Sequence, residues 1–117
     1  MKIREQYTCP LEIVHDIIKG KWKTIIIFQL GNGTCSFSDL RHQITGISEK
    51  MLLEQLKELR AFGLIDKHTY EGYPLKVEYF LTERGKKMQE AVEIMQSIGQ
   101  EYMVEHGMSK REEVEEE

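Results

Sequence analysis

Apolar and polar positions alternate most regularly between residues 46 and 64. At about 100° per residue, the leucines of this segment gather on one side of a helix and its lysines on the other. Ser48 can cap the helix because its hydroxyl accepts from an otherwise free backbone N–H, and Gly63 can end it in a left-handed conformation. The pattern therefore predicts an amphipathic helix with one buried side and one side left for solvent or a partner.

Two helices are predicted before this segment. Pro10 suits the first turn of a helix, and apolar residues recur at helical spacing from there until Gly20. The run 24–30 is apolar on nearly all sides and rich in β-branched residues, so a buried strand is an alternative. We assign this run to a buried helix that ends at the Gly-Asn-Gly turn 31–33.

A helix-turn-helix outline comes next. Residues 34–37 form a short extended piece, and Ser36 or Ser38 can cap a short helix over 39–44. The turn 45–47 contains a glycine and joins this helix to the amphipathic one. Two short helices connected in this way are typical of helix-turn-helix proteins.

A hairpin and a long helix complete the pattern. Residues 64–70 and 76–82 are predicted as two strands around the turn 71–74. Thr82 can cap a last helix over 83–105, whose apolar positions recur every three or four residues. The order helix, turn, helix, hairpin is that of a winged helix. The last helix is long for a small core, so we predict that it pairs with a second copy of the chain.

The charge balance is nearly neutral over most of the chain. The 117 residues carry a net charge of −4 and fit a single domain. Residues 109–117 hold two basic and five acidic groups, which leaves −1 for residues 1–108. DNA binding must therefore rest on where the charges lie rather than on a basic total. The acidic end, taken as 106–117, is expected to be disordered and solvated.

Several classes of protein are disfavoured by what the sequence lacks. No apolar stretch approaches the ~20 residues of a membrane span, and the first residues lack a secretory signal, so a cytoplasmic protein without membrane contact is expected. The two cysteines and four histidines do not form a metal cluster. No nucleophile elbow or phosphate loop is present, so we expect neither an enzyme nor a cofactor.

A set of short motifs, in order, resembles the HxlR-type regulators, which are winged-helix transcription factors of bacteria and archaea. The resemblance extends from about Cys9 to Tyr102. Its main elements are Cys9-Pro10, Gly20-Lys21-Trp22, Phe37-Ser38-Asp39-Leu40, Gly46-Ile47-Ser48-Glu49-Lys50-Met51-Leu52, Gly63-Leu64-Ile65 and Val77-Glu78-Tyr79-Phe80-Leu81-Thr82-Glu83-Arg84-Gly85. The chain departs from the family at Ser36, where arginine is common, and at Asp66 and Phe80. The first two departures suggest fewer or shifted phosphate contacts.

The resemblance implies a fold and an assembly. The expected fold is mostly helical α+β, a winged helix-turn-helix with added N- and C-terminal dimerisation helices. The expected division is an arm over 1–8, the winged-helix domain with its dimerisation helix over 9–105, and the acidic tail over 106–117. The N- and C-terminal helices of two chains are expected to pair across a two-fold axis. The predicted interface residues are Leu11, Val14, Met88, Val92, Met95 and Tyr102.

Double-stranded DNA is the expected partner of the amphipathic helix and of the hairpin. A helix in the major groove needs donors that reach base edges or phosphates. From the helix we select Ser48, Lys50, Gln55 and Lys57. Residues of the hairpin and of the preceding helix would contact the backbone, which sets position but not sequence. These are Arg41, Lys67, His68 and Lys76.

Cys9 is a candidate redox sensor. It precedes the first helix, where the helix dipole can favour a thiolate. A small buried apolar residue is the usual role of a free cysteine, whereas HxlR-type proteins often carry a reactive cysteine at this position. A small electrophile or an oxidant is therefore a candidate effector. Cys35 is expected to be structural, and a Cys9–Cys35 pairing remains an alternative.

Taken together, the residues and the resemblance predict a homodimeric, sequence-specific DNA-binding transcriptional regulator. Repression is the expected sign of regulation, with control by a thiol-reactive or redox signal. The alternative is a winged helix that binds proteins without specific DNA binding, which the near-neutral charge would allow.

Overall fold

The computed structural model of the chain describes residues 3–108, so residues 1–2 of the arm and residues 109–117 of the acidic tail lie outside it. Five helices and three strands form the described part. In chain order they are α1 (Pro10–Ile18), α2 (Lys23–Leu30), β1 (Cys35–Ser36), α3 (Phe37–Gln43), α4 (Glu49–Ala61), β2 (Ile65–Tyr70), β3 (Lys76–Leu81) and α5 (Glu83–Glu105). The predicted mostly helical α+β fold, with a helix-turn-helix followed by a hairpin, is confirmed.

The hairpin belongs to a three-stranded antiparallel sheet with the order β1-β3-β2. β2 and β3 pair along their whole length, from Ile65 opposite Leu81 to Tyr70 opposite Lys76. The short extended piece before α3 is β1, and it pairs Cys35 with Tyr79. This third strand ties the helix-turn-helix to the base of the hairpin.

The apolar run 24–30 is the buried helix α2, and the strand alternative is wrong. Ile26 and Ile27 are fully buried, and the helix packs against α3, α5 and β3. A helix enclosed on several sides has no polar face to reveal its period, which is why the sequence alone allowed a strand.

The helix α3 begins two residues earlier than predicted. Ser36, rather than Ser38, is its N-cap, since the Ser36 hydroxyl accepts from the backbone N–H of Asp39 at 3.0 Å. The Asp39 carboxylate accepts in return from the backbone N–H of Ser36 at 3.3 Å. This reciprocal capping stabilises the helix start.

A close junction joins the end of α4 to the start of α5. The Thr82 hydroxyl donates to the carbonyl of Gly63 at 2.6 Å and accepts from the backbone N–H of Gly85 at 3.1 Å. The backbone N–H of Thr82 donates to the carbonyl of Leu64 at 3.1 Å. A Cβ atom on Gly85 would overlap that carbonyl oxygen, so glycine is required where the two helices meet.

The arm lies against α1. Arg4 Nε is 3.1 Å from the Asp16 carboxylate, which also accepts from the Tyr7 hydroxyl at 2.8 Å. The Tyr7 hydrogen bond, followed by the contacts from Arg4, holds the pKa of Asp16 below its usual value. α1 has no fully buried residue, so its apolar side is only partly covered by its own chain. Among the described residues, no helix is long and apolar enough to span a bilayer.

Candidate nucleic-acid interface

The helix α4 separates into a buried and an outer face, as predicted. Its buried residues are Leu52, Leu56 and Leu59. The outer face of α4 consists of Lys50, Glu54, Lys57 and Ala61, which are all exposed. Ser48 is the N-cap, and its hydroxyl accepts from the backbone N–H of Met51 at 3.1 Å. The helix is thus held by its apolar side and presents a mixed charged side outward.

Lys50 and Lys57 are seven residues apart, which is about two helical turns. Their side chains therefore project from nearly the same side of α4, with Glu54 between them. Both lysines are exposed. The two residues are about 10 Å apart along the helix axis, and a lysine ammonium can donate to guanine acceptors or to phosphates.

Gln55 does not lie with the two lysines. It is about 140° around the helix from Lys50, and its side chain is half-buried. Its amide Nε2 lies 3.4 Å from the thioether sulfur of Met51. The structure places this predicted base-reading residue at the border of the buried face.

Arg41 braces the turn between α3 and α4. Its Nε donates to the carbonyl of Ile47 at 3.4 Å, and its Nη1 lies 4.0 Å from a carboxylate oxygen of Glu49. The side chain is about one-third exposed. The guanidinium therefore links α3 to the turn and to the start of α4, and its contact with a phosphate stays a prediction.

The β2–β3 hairpin with its turn, residues 65–81, is the wing. Directly opposed residues of an antiparallel pair project from the same face of a sheet. Lys67 is opposite the buried Tyr79, whereas His68 is opposite Glu78. Lys76 is two residues before Glu78 and shares its face. The three predicted backbone-binding residues of the wing are therefore divided, with His68 and Lys76 on one face and Lys67 on the other.

The face of the wing that carries His68 and Lys76 is organised around Tyr70. The Lys76 ammonium lies 5.2 Å from the centre of the Tyr70 ring, and the His68 ring meets the same ring edge-on at 4.3 Å. The Tyr70 hydroxyl donates to Glu78 at 2.7 Å, and this hydrogen bond raises the pKa of Tyr70. The aromatic ring thus orders two basic side chains at the surface.

An ion pair between a buried lysine of α2 and a partly exposed glutamate of α4 was not predicted from the sequence. Lys23 directly precedes the apolar run 24–30, and it is the first residue of α2 and only 3% exposed. Its Nζ lies 2.7 Å from Oε1 of Glu58. The hydrogen bond from Lys23 is the main cause that lowers the pKa of Glu58. The available signal was the position of Lys23 directly before a run of apolar residues.

The two cysteines have opposite environments. Cys9 is exposed and is the N-cap of α1, where its backbone N–H donates to the Glu12 carboxylate at 3.0 Å. Cys35 is buried in β1, and burial is the first cause that raises the pKa of its thiol. Only the Cys9 thiol is open to a reagent in solution.

The predicted interface residues fall into three groups. Leu11, Met95 and Tyr102 are exposed apolar side chains. Val14 and Met88 are half-buried, and Met88 packs against the core. Val92 is only 4% exposed and belongs to the core of a single chain. Its assignment to the interface stays a prediction, and this burial leaves little of the side chain for a partner to cover.

A family comparison decides the class of protein. The model of the family described as HxlR-like helix-turn-helix matches residues 17–107. The chain belongs to this HxlR-like family. The resemblance seen in the motifs is confirmed. Because the members of the family are helix-turn-helix transcriptional regulators, this HxlR-like protein is a transcriptional regulator and not an enzyme.

Individual relatives agree with the family. YdeP of Bacillus subtilis (strain 168), named as an HTH-type transcriptional regulator, is 39% identical over 94 residues, which cover 80% of this chain and 73% of YdeP. Among solved structures, the reduced form of the redox regulator HypR matches with a TM-score of 0.76 and 36% identity, covering 80% of this chain and 92% of HypR. The reduced form of the transcriptional regulator YodB from B. subtilis matches with a TM-score of 0.69 and 34% identity, covering 78% and 90%.

Proposed function

We propose that this HxlR-like protein is a homodimeric repressor that recognises a specific double-stranded DNA sequence through the outer face of α4 and contacts the backbone through the wing. The observation that carries the proposal is the division of α4. Three of its four leucines, Leu52, Leu56 and Leu59, are buried, and two exposed lysines project from the opposite side. A helix fixed in this way can enter a major groove without unfolding any part of the core.

The surface of α5 supports the homodimer. Its exposed apolar residues recur at helical spacing along one side of the helix, and they are Ile94, Met95, Ile98 and Tyr102. A chain of this size rarely leaves such a long apolar stripe in water. Exposed Leu11 and the partly covered α1 add to the apolar surface. In a dimer, the apolar stripes of the two α5 helices would bury each other. The dimer would also place two α4 helices on one DNA duplex.

The thiol of Cys9 supports control by an oxidant or a small electrophile. It is exposed, whereas Cys35 is buried. HypR is described as a redox regulator and has been solved in reduced and oxidised forms, and YodB has been solved after treatment with diamide. Modification of a residue that caps α1 would act directly beside the proposed dimer surface.

A fluorescence-anisotropy titration tests the proposed function. Reduced protein is titrated onto DNA from upstream of its own gene and onto random DNA of the same length, across a salt series, before and after mild oxidation. Specific binding that weakens steeply with salt is expected, because neutralised phosphates release counterions. Oxidation should weaken it reversibly in the wild type and in Cys35→Ser, but not in Cys9→Ser.

The other outcomes separate the parts of the proposal. The role of Cys9 as a sensor would be refuted if oxidation did not change DNA binding, or if it weakened binding by Cys9→Ser as much as by the wild type. Either result would leave the DNA-binding function standing. Absence of salt-dependent DNA binding in every redox state would refute the DNA-binding function itself. It would favour a winged helix that binds proteins.

A further inference from the structure

The helix α4 exposes one large apolar residue that its core does not use. Leu53 is 43% exposed, whereas Leu52 is fully buried and Leu56 is only 1% exposed. The buried leucines, together with Leu59, already form the side of α4 that meets the rest of the chain. The packing of a single chain therefore does not explain a leucine at position 53.

Leu53 lies beside the two lysines of the outer face. It is about 60° around the helix from Lys50 and about 40° from Lys57. Gln55, by contrast, is turned away and contacts Met51. An apolar side chain thus lies beside the two lysines that would meet DNA.

The charges around Leu53 indicate which partner would cover it. A protein surface that buried Leu53 would have to remove water from Lys50 and Lys57 as well, which is unfavourable without matched acidic groups. A DNA major groove offers guanine acceptors and phosphates to the lysines. It also offers one kind of apolar group at the base edges, the C5-methyl group of thymine.

We propose that Leu53 contacts the C5-methyl group of a thymine in each half of the DNA site and so sets a sequence preference there. This assignment rests on the proposed function, because it requires α4 to enter the major groove. It makes Leu53 a specificity-determining residue whose contribution depends on apolar contact rather than on charge.

Replacement of thymine by deoxyuridine tests the contact, since it removes only the methyl group. The preferred site is first selected from random DNA with the reduced wild-type protein, and each thymine is then replaced in turn. For the wild type, one position per half-site should lose affinity by about threefold to fivefold, which corresponds to one buried methyl group. For Leu53→Ala the same replacement should change affinity by less than about 1.5-fold.

Two further variants serve as controls. Lys57→Ala should bind more weakly overall but keep the full uracil penalty, since its contact is electrostatic. Leu53→Met keeps an apolar side chain and should keep most of the penalty. Leu53 is nearly half exposed, so the variants should fold. If thermal unfolding nevertheless shows that Leu53→Ala is not folded, Leu53→Gln, which has no methyl group and suits a helix, replaces it in the comparison.

The assignment is overturned if no thymine position is sensitive to uracil, or if the penalty is equal in the wild type and Leu53→Ala. In either case the wild type still binds its selected site, so the proposed function would stand. If selection recovers no preferred site at all, sequence-specific binding itself is refuted, and the role of Leu53 with it.

Discussion

Lys23 and Glu58 form an ion pair of 2.7 Å that joins the first residue of α2 to the helix α4. A positive charge is unfavourable at a helix N-terminus and more so when it is buried, as Lys23 is. Glu58 compensates both effects. Glu58 directly follows Lys57 in α4. The ion pair with Lys23 therefore also restrains rotation of α4 about its own axis, and with it the direction of the outer face.

Loss of the Glu58 carboxylate should destabilise the fold. In Glu58→Gln the buried ammonium of Lys23 keeps its charge but loses its counter-ion. We expect a loss of about 2–3 kcal/mol, below the range for a fully buried pair because Glu58 is 35% exposed. Urea unfolding at pH 7 measures it. Glu54→Gln, on the exposed outer face of the same helix, is the matched control and should change stability by less than about 0.5 kcal/mol. Equal effects of the two variants would contradict a structural role for the pair.

The same carboxylate should contribute to acid sensitivity. The pKa of Glu58 is lowered in the folded chain by its hydrogen bond with Lys23. A lowered folded-state pKa gives stability that is present above the unfolded pKa and is lost as the pH falls through the folded pKa. The difference in stability between wild type and Glu58→Gln should therefore shrink as the pH falls from 6 to 3. Urea unfolding across this pH range measures the difference, and a constant difference would rule out this linkage.

Gly85 and Gly99 should respond in opposite directions to alanine. A Cβ on Gly85 would overlap the Leu64 carbonyl at the junction of α4 and α5. Within residues 3–108, nothing beyond the neighbouring backbone of its own helix lies within 4 Å of a Cβ on Gly99. Gly85→Ala should destabilise the chain by more than about 3 kcal/mol, or prevent folding, because backbone must move. Gly99→Ala should stabilise the isolated chain by about 0.5–1 kcal/mol, the ordinary gain in a helix interior. Thermal unfolding at low protein concentration compares them. Similar effects at both sites would show that the junction can adjust.

A charge on the exposed stripe of α5 should prevent pairing of two chains. Met95→Glu places a carboxylate among Ile94, Ile98 and Tyr102, where a second copy would have to bury it. Size-exclusion chromatography with light scattering should show a dimer for the wild type at micromolar concentration and a monomer for Met95→Glu. Gln100→Glu adds the same charge about 140° away on α5 and should stay dimeric. A wild-type monomer under these conditions would refute the homodimer.

Lysines on α4 and on the wing should affect DNA binding differently. Lys50→Ala should change which sequence is preferred, since Lys50 is on the outer face of α4. Lys67→Ala should weaken specific and random DNA alike and reduce the slope of log K against log salt by about one, as expected for one lost phosphate contact. Anisotropy titrations on both DNAs measure this. Gln55→Ala provides a further comparison. If it lost affinity equally for specific and random DNA, the assignment of Gln55 as a base-reading residue would be refuted.

Local patterns were sufficient to predict the elements and their order. Ser48 and Thr82 cap their helices, and Gly63 follows the end of α4 with a positive φ of 76°. These helix ends depend on backbone groups only a few residues away, so they can be predicted from the local sequence. The ordered motifs were sufficient for the family as well.

Contacts between distant segments were decided only by the tertiary structure. Lys23 is buried because α4 supplies Glu58, thirty-five positions later. Val92 faces the core of its own chain, and Gln55 is turned toward Met51 while Leu53 is left exposed. A helical period identifies the apolar side of a helix. It does not show which residues at the edge of that side are covered by the same chain, by a second copy or by DNA. The assignment of these border residues to core, partner or DNA therefore depends on how the helices pack.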